Sequence, residues 1–83
     1  MSNKQLISNL VTALHAARQL NYKGFEILDI QLAGNAPVIK VNTPRLQLVG
    51  TQSDGFVNTP SQLLEKQSMT VRGSTVKWLT PLG

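Results

Sequence analysis

The chain has 83 residues, of which 41% are hydrophobic, and eight Lys and Arg against four Asp and Glu give a formal charge of +4. This length allows one small domain, 1–83, near the size at which stability becomes marginal. The sequence has no cysteine, which excludes disulfides and thiolate metal sites. No apolar run reaches the roughly 18 residues of a membrane span, and the polar N-terminus is unlike a signal peptide. These features predict a cytoplasmic protein with no membrane contact.

Residues 3–21 have the pattern of an amphipathic helix. Ser2, three residues before Gln5, resembles a capping box, and Asn21 and Gly24 both tolerate the left-handed conformation that ends helices. The apolar positions recur at spacings of three and four, which predicts one buried face. That face comprises Leu6, Ile7, Leu10, Val11, Ala13, Leu14, Ala17 and Leu20.

The stretch 25–44 predicts a β-hairpin with a turn at 34–37. If Ala33 lies opposite Val38, then Ile30 lies opposite Val41, and the apolar pairs share one sheet face. Phe25 and Ile27 are out of phase with that face. Either a bulge shifts the phase, or the outer face of the sheet has an apolar end suited to a partner. Phe25 covering the helix terminus is the structural alternative.

Residues 67–79 predict a second hairpin, with Gly73-Ser74 as a two-residue loop. In this register Val71 lies opposite Val76, and Trp78 belongs to the core. The segment 50–66 predicts a mobile loop, with a short helical turn opened by Pro60-Ser61 as the alternative for its second half. Residues 80–83 predict a tail.

These patterns together predict an α+β fold. One N-terminal amphipathic helix packs on a small antiparallel sheet built from two hairpins, with Leu14 and Ile30 in the core. Shortening either of these two side chains is expected to cost about 2–5 kcal/mol. The predicted strands lie near 25–33, 38–43, 45–49, 67–72 and 75–79.

The sequence offers no constellation for catalysis. His15 is the only histidine and lies among polar helix positions, which favours a solvated surface residue over a metal ligand. The four acidic residues show no paired or ligand-like spacing. We therefore expect a protein that is not an enzyme and that holds no metal or cofactor.

The predicted surface is the remaining candidate for function. The registers place Lys40, Arg72 and Lys77 on the outer sheet face, with Arg45 at its margin, where these cations could contact phosphates. Few aromatic residues accompany them, which disfavours a base-stacking platform. Phe25 and Phe56 are the apolar candidates for contact with a partner, Phe56 because it opens the long loop. The sheet edges favour strand addition or a homodimer.

Several of these features carry a resemblance to known proteins. They are the helix that ends at Gly24, the run Pro37-Val38-Ile39, Pro44 closing the second strand, and the hairpin 71–78. The chain resembles small orphan proteins encoded in the early regions of tailed phages and prophages. The resemblance implies a non-enzymatic phage accessory protein of the host cytoplasm, an inhibitor or adaptor that binds a host or phage protein. The alternative is nucleic-acid binding through the basic outer sheet face.

Overall fold

The computed structural model describes residues 2–45, 48 and 50–82. The chain begins with one long helix, α1 (Asn3–Tyr22). The Ser2 hydroxyl accepts the Gln5 backbone N–H at 3.1 Å, which satisfies a donor that the first helical turn leaves free. Gly24, at φ +88°, follows the end of the helix. The predicted helix 3–21 is confirmed to within one residue.

Five strands follow the helix and form one mixed sheet in the order β1-β2-β5-β4-β3. All neighbouring strands are antiparallel except the central pair, β2 and β5, which run parallel. The α+β class is confirmed, whereas the prediction of a purely antiparallel sheet made of two hairpins is wrong. The strands are β1 (Ile27–Gln31), β2 (Val38–Val41), β3 (Gln52–Asn58), β4 (Leu63–Val71) and β5 (Ser74–Pro81).

The parallel pair joins the N-terminal and C-terminal halves of the sheet. Its register sets Ile39 beside Val76, and neither side chain has any exposed surface. Burying these two apolar side chains beside each other stabilises the contact between β2 and β5. The pattern of each hairpin fixes its own inner face but not the strand that it pairs with, so the sequence did not indicate the parallel direction.

The β1–β2 hairpin is shorter than predicted. Its register sets Gln31 opposite Val38 and Ile30 opposite Ile39, two residues away from the predicted pairing. The connection therefore spans 32–37. Its Leu32 and Gly34 carbonyls accept the Asn9 side-chain amide of the helix, and its Pro37 carbonyl accepts the Thr75 N–H of β5. An irregularity between Ile27 and Asp29 confirms the bulge, which brings Ile27 and Ile30 to the same face of the sheet.

The segment 50–66, expected to be a loop, contains β3 and the beginning of β4. Asp54-Gly55, interpreted from the sequence as a turn, instead lies within β3 at a bulge, where Gly55 adopts φ +114°. The turn lies farther on, where the Thr59 N–H and hydroxyl both donate to the Gln62 carbonyl. The predicted strand at 45–49 falls mostly on residues outside those described, and β5 continues to Pro81, within the predicted tail.

The β4–β5 turn consists of Arg72-Gly73 rather than Gly73-Ser74. Both residues have positive φ, 49° and 80°, as a type I′ hairpin turn requires. Val71 then pairs with Ser74, and Met69 with Val76. This shift by two residues preserves the predicted inner face, because side chains alternate with a period of two.

The core lies between α1 and the inner face of the sheet. Phe25 and Trp78 are its two buried aromatic residues, and the predicted burial of Trp78 is confirmed. The indole N–H of Trp78 donates to the Gln67 side chain at 2.9 Å, as a buried indole requires. The buried members of this cluster are Ala16, Leu20, Phe25, Ile39, Val41, Val76 and Trp78.

The helix presents a different face to this core from the predicted one. Its buried residues are Asn9, Ala13, Ala16 and Leu20, whereas Leu14 is 48% and Ile30 41% exposed. The prediction that Leu14 and Ile30 lie in the core is therefore wrong. Alanine at the contact lets the helix approach the sheet closely, and the large apolar residues lie to one side.

Candidate interaction surfaces

An apolar surface follows one side of α1. Its five members recur at helical spacing and are between 40% and 60% exposed. Contiguous exposed apolar surface of this kind marks interaction sites more often than isolated exposed residues do. We call this surface the apolar helix face; it comprises Leu6, Ile7, Leu10, Val11 and Leu14.

Polar contacts on two other sides of α1 fix its rotation. The Asn9 amide is buried and donates to the Leu32 and Gly34 carbonyls at 2.7 and 3.1 Å. Its oxygen accepts the Gln5 amide at 3.0 Å, so all the polar atoms of the Asn9 side chain are engaged. Sequence reasoning missed Asn9 because it is a polar residue at a core position. The signal that could have found it is its spacing from Ala13, Ala16 and Leu20.

The second fixed side of the helix faces the β4–β5 turn. The Arg72 guanidinium donates to the Gln19 side chain at 2.9 Å, and a Cβ at Gly73 would lie 3.2 Å from the Thr12 methyl group. Since this side is directed toward β4, the opposite flank of α1 is directed toward β1, the edge strand. The apolar helix face lies on that flank and on the adjoining outward side.

The charges of α1 have one sign. Residues 3–22 include Lys4 and Arg18, both exposed, but neither Asp nor Glu. Arg18 lies seven residues after Val11, and Lys4 seven residues before it, so the three positions form one row along the helix. The apolar helix face is thus bordered on one side by two cations.

The outer face of the sheet carries a cluster of three lysines. Lys40 lies beside Lys77 in the β2–β5 register, and both lie on the outer face as predicted. Lys66 pairs with Leu79, which makes it a diagonal neighbour of Lys77. All three line an open groove of about 530 Å³, together with Leu28, Val57 and Leu79. Asp54 also lines the groove, which reduces the positive charge there.

The structure separates the other predicted binding residues from this cluster. Arg72 is directed toward the helix, where Gln19 binds it, so the predicted trio Lys40, Arg72 and Lys77 does not share a face. Arg45 is exposed and lines a smaller pocket of about 320 Å³ with Lys23.

The two phenylalanines have different environments. Phe25 is only 9% exposed and packs in the core, which favours its structural role over contact with a partner. Phe56 is 59% exposed on the edge strand β3, opposite Glu65. Of the two, Phe56 alone offers an exposed ring.

Neither a metal cluster nor a membrane helix is found in the part of the chain that the structure describes. No three His, Cys, Asp or Glu side chains within it are grouped closely enough to hold a metal ion. Its single helix also lacks the combination of length and hydrophobicity that crossing a bilayer would require.

The fold and surface define a small α+β protein whose helix packs on a mixed sheet through one face and exposes an apolar second face. The chain belongs to the Kil protein family, whose model matches residues 1–79. Kil proteins are small phage proteins, so the predicted resemblance to small phage proteins is confirmed, and the chain is a small phage accessory protein. No curated protein and no solved structure matches it.

Proposed function

We propose that this phage protein is a non-enzymatic binding module that docks on a protein of the host or the phage through the apolar helix face. The observation that carries this proposal is the exposure of Leu10 and Leu14 on a helix whose buried face holds Asn9 and alanines. Burying apolar surface is worth roughly 25 cal/mol per Å². A partner that covers this face therefore gains the free energy of apolar burial that the isolated chain leaves unused.

The rigidity of α1 supports the same proposal. Asn9 and Gln19 hold the helix to the loop 32–37 and to the β4–β5 turn, so the apolar helix face is formed before binding. A preformed surface loses less conformational entropy on association than a flexible one. The adjacent edge strand β1 offers backbone groups for strand addition, or for a homodimer.

A pull-down from bacterial lysate tests this proposal. The bait is the wild-type chain, the lysate is treated with nuclease, and captured proteins are quantified by mass spectrometry. Leu10→Glu places a charge in the apolar helix face and is expected to abolish capture. Leu63→Glu is the matched control, because Leu63 is similarly exposed at 43% but lies on β4, which β2 and β5 separate from β1. Recovery of the same proteins with Leu10→Glu, or of none with wild type, would contradict the proposal.

The lysine cluster supports a second candidate function, nucleic-acid binding through the outer sheet face. Lys40, Lys66 and Lys77 line one groove, and each phosphate contact steepens the dependence of log affinity on log salt by about 0.9 for B-DNA. Three contacts therefore predict a slope of about −3. The groove residues include no base-stacking ring beside the lysines other than the buried Trp78, so the protein-binding proposal is preferred.

Titration of duplex and single-stranded oligonucleotides at several salt concentrations tests this second function. The variant is Lys40→Ala/Lys66→Ala/Lys77→Ala. Its control, Lys4→Ala/Arg18→Ala/Lys23→Ala, removes the same charge from the helix and its end. Binding that the first variant loses and the second retains supports this site. No binding by wild type at low salt, or equal losses in both variants, counts against it.

A further inference from the structure

We infer that the segment seated on the apolar helix face is an acidic amphipathic helix of the partner protein. Its apolar residues would recur at spacings of three and four, and Asp or Glu would flank them. This inference rests on the proposed protein-binding function and adds the chemistry of the partner. It follows from the shape of the apolar helix face and from the charges beside it.

The shape of the apolar helix face fits another helix. Along this face an apolar seam runs from Ile7 through Leu10 and Leu14 to the adjoining, half-buried Ala17, at spacings of three, four and three residues. Helices interlock their side chains at this spacing. Asn3 and Asn21 continue the same spacing at both ends. The apolar seam therefore ends in polar residues after about 15 Å, at a rise of 1.5 Å per residue. This length is complementary to about three turns of a partner helix.

The charges beside the seam select an acidic partner. Lys4 and Arg18 flank it, and α1 contains no acidic residue that could pair with them or with their copies. A second copy of the chain would bring these cations toward cations, and like charges in contact are unfavourable. Carboxylates on a partner helix would instead face Lys4 and Arg18, which speeds encounter and fixes register.

A bilayer fits the same face less well. Helices that lie in a membrane interface typically combine Trp or Phe on the apolar side with several Lys or Arg on the other. The apolar helix face has only Leu, Ile and Val, and its polar border holds two cations.

Two synthetic peptides of three heptads test the inference. Both carry Leu and Ile at the same three-four spacing; one has Glu at the flanking positions and the other has Lys. Fluorescence anisotropy of the labelled peptides measures their binding to the full chain. We expect wild type to bind the Glu peptide at least about tenfold more tightly than the Lys peptide.

Three variants locate the binding and its charge preference, with circular dichroism as a check of folding. Leu10→Glu is expected to weaken binding of the Glu peptide about tenfold or more, and Leu63→Glu to change it less than about twofold. Lys4→Glu/Arg18→Glu is expected to reverse the preference toward the Lys peptide. Equal binding of both peptides by wild type, no binding of either, or unchanged binding by Leu10→Glu would overturn the inference.

Two further measurements test whether a second copy of the chain or a membrane covers the apolar helix face instead. Sedimentation of wild type as a dimer that Leu10→Glu dissociates would overturn the inference in favour of a second copy. Binding to phosphatidylglycerol-containing vesicles that Leu10→Glu abolishes would overturn it in favour of a membrane. Lysate capture that depends on Leu10, without a charge preference between the peptides, would refute the acidic partner and leave the protein-binding function standing. Failure of lysate capture together with failure of the peptides would refute both.

Discussion

The two faces of α1 differ in a way that hydrophobicity alone does not explain. The face against the sheet holds Asn9, Ala13 and Ala16, and only Leu20 among its buried members is a large apolar residue. The apolar helix face holds five large aliphatic side chains, all at least 40% exposed. Close approach and buried hydrogen bonds decide which side packs, and this leaves the greater share of apolar surface for another molecule. Four comparisons between variants test this packing, from the largest expected effect to the smallest.

The same Leu→Ala change is expected to cost much more stability on the buried face than on the exposed one. Leu20 is fully buried, so Leu20→Ala should lower the free energy of unfolding by about 2–5 kcal/mol, through lost burial and the cavity left behind. Leu14→Ala, on the exposed face, should cost less than about 1 kcal/mol. Urea denaturation measures both. Similar losses for the two variants would show that the helix buries both faces.

Loss of the Asn9 amide should destabilise the fold although it removes no apolar contact. Asn9→Ala leaves the Leu32 and Gly34 carbonyls without their donor, at an expected cost of about 1–3 kcal/mol. Ser8→Ala, at the exposed neighbouring position, is the control and should change the unfolding free energy by less than about 0.5 kcal/mol. Equal midpoints for the two variants in thermal unfolding would refute this role for Asn9.

The turn beside Thr12 should tolerate only glycine at its second position. Gly73→Ala forces an L-residue into φ +80° and brings its Cβ to 3.2 Å from the Thr12 methyl group, with an expected loss of about 1–2 kcal/mol for the left-handed conformation alone. Gly34→Ala has a similar φ, +99°, in open space and should lose only that amount. Thr12→Ser removes the methyl group and should reduce the difference in unfolding free energy between the Gly73→Ala and Gly34→Ala variants. An unchanged difference would show that the contact with the methyl group does not contribute to the loss.

The buried Ser74 hydroxyl is expected to reduce stability slightly. It lies at the helix-side face of β5 and has no hydrogen-bond partner among the residues that the structure describes, so Ser74→Ala should raise the unfolding free energy by about 1 kcal/mol. Ser53→Ala is the comparison, since the Ser53 hydroxyl donates to Glu65 at 2.9 Å, and its removal should give no gain. A destabilised Ser74→Ala variant would show that the hydroxyl is satisfied in solution.

Local features of the fold could be predicted from the sequence, and non-local ones could not. The helix ends depend on Ser2 and on the chain up to Gly24, so its bounds were predicted to within one residue. Each hairpin register was wrong by two residues, yet the period of two kept Ile39 and Val76 on the inner face. The sequence did not predict β3, because Gly55 lies at a bulge within that strand and a bulge glycine resembles a turn residue. The parallel pairing joins segments that are far apart in the sequence, and no local sequence pattern predicts it.

The candidate site was predicted in part. The placement of Lys40 and Lys77 on the outer sheet face followed from the alternation along each strand, whereas their direct pairing across β2 and β5 did not. The addition of Lys66 to that cluster depends on β4 beginning earlier than predicted. Arg72 was misplaced because the turn was assigned one residue too late. The apolar helix face was visible in the sequence as a stripe, but that stripe alone does not tell whether the sheet or a partner covers it.

The central position of β5 has a consequence for synthesis of the protein. β5 is the last strand in sequence, yet it lies between β2 and β4 and supplies Val76 and Trp78 to the core. Until this strand leaves the ribosome, the β1–β2 hairpin has no neighbour on its inner edge, and the β3–β4 hairpin is separate from it. Such long-range pairing slows folding. The nascent chain therefore emerges with its apolar strands uncovered, and its sheet can assemble only when the final strand arrives.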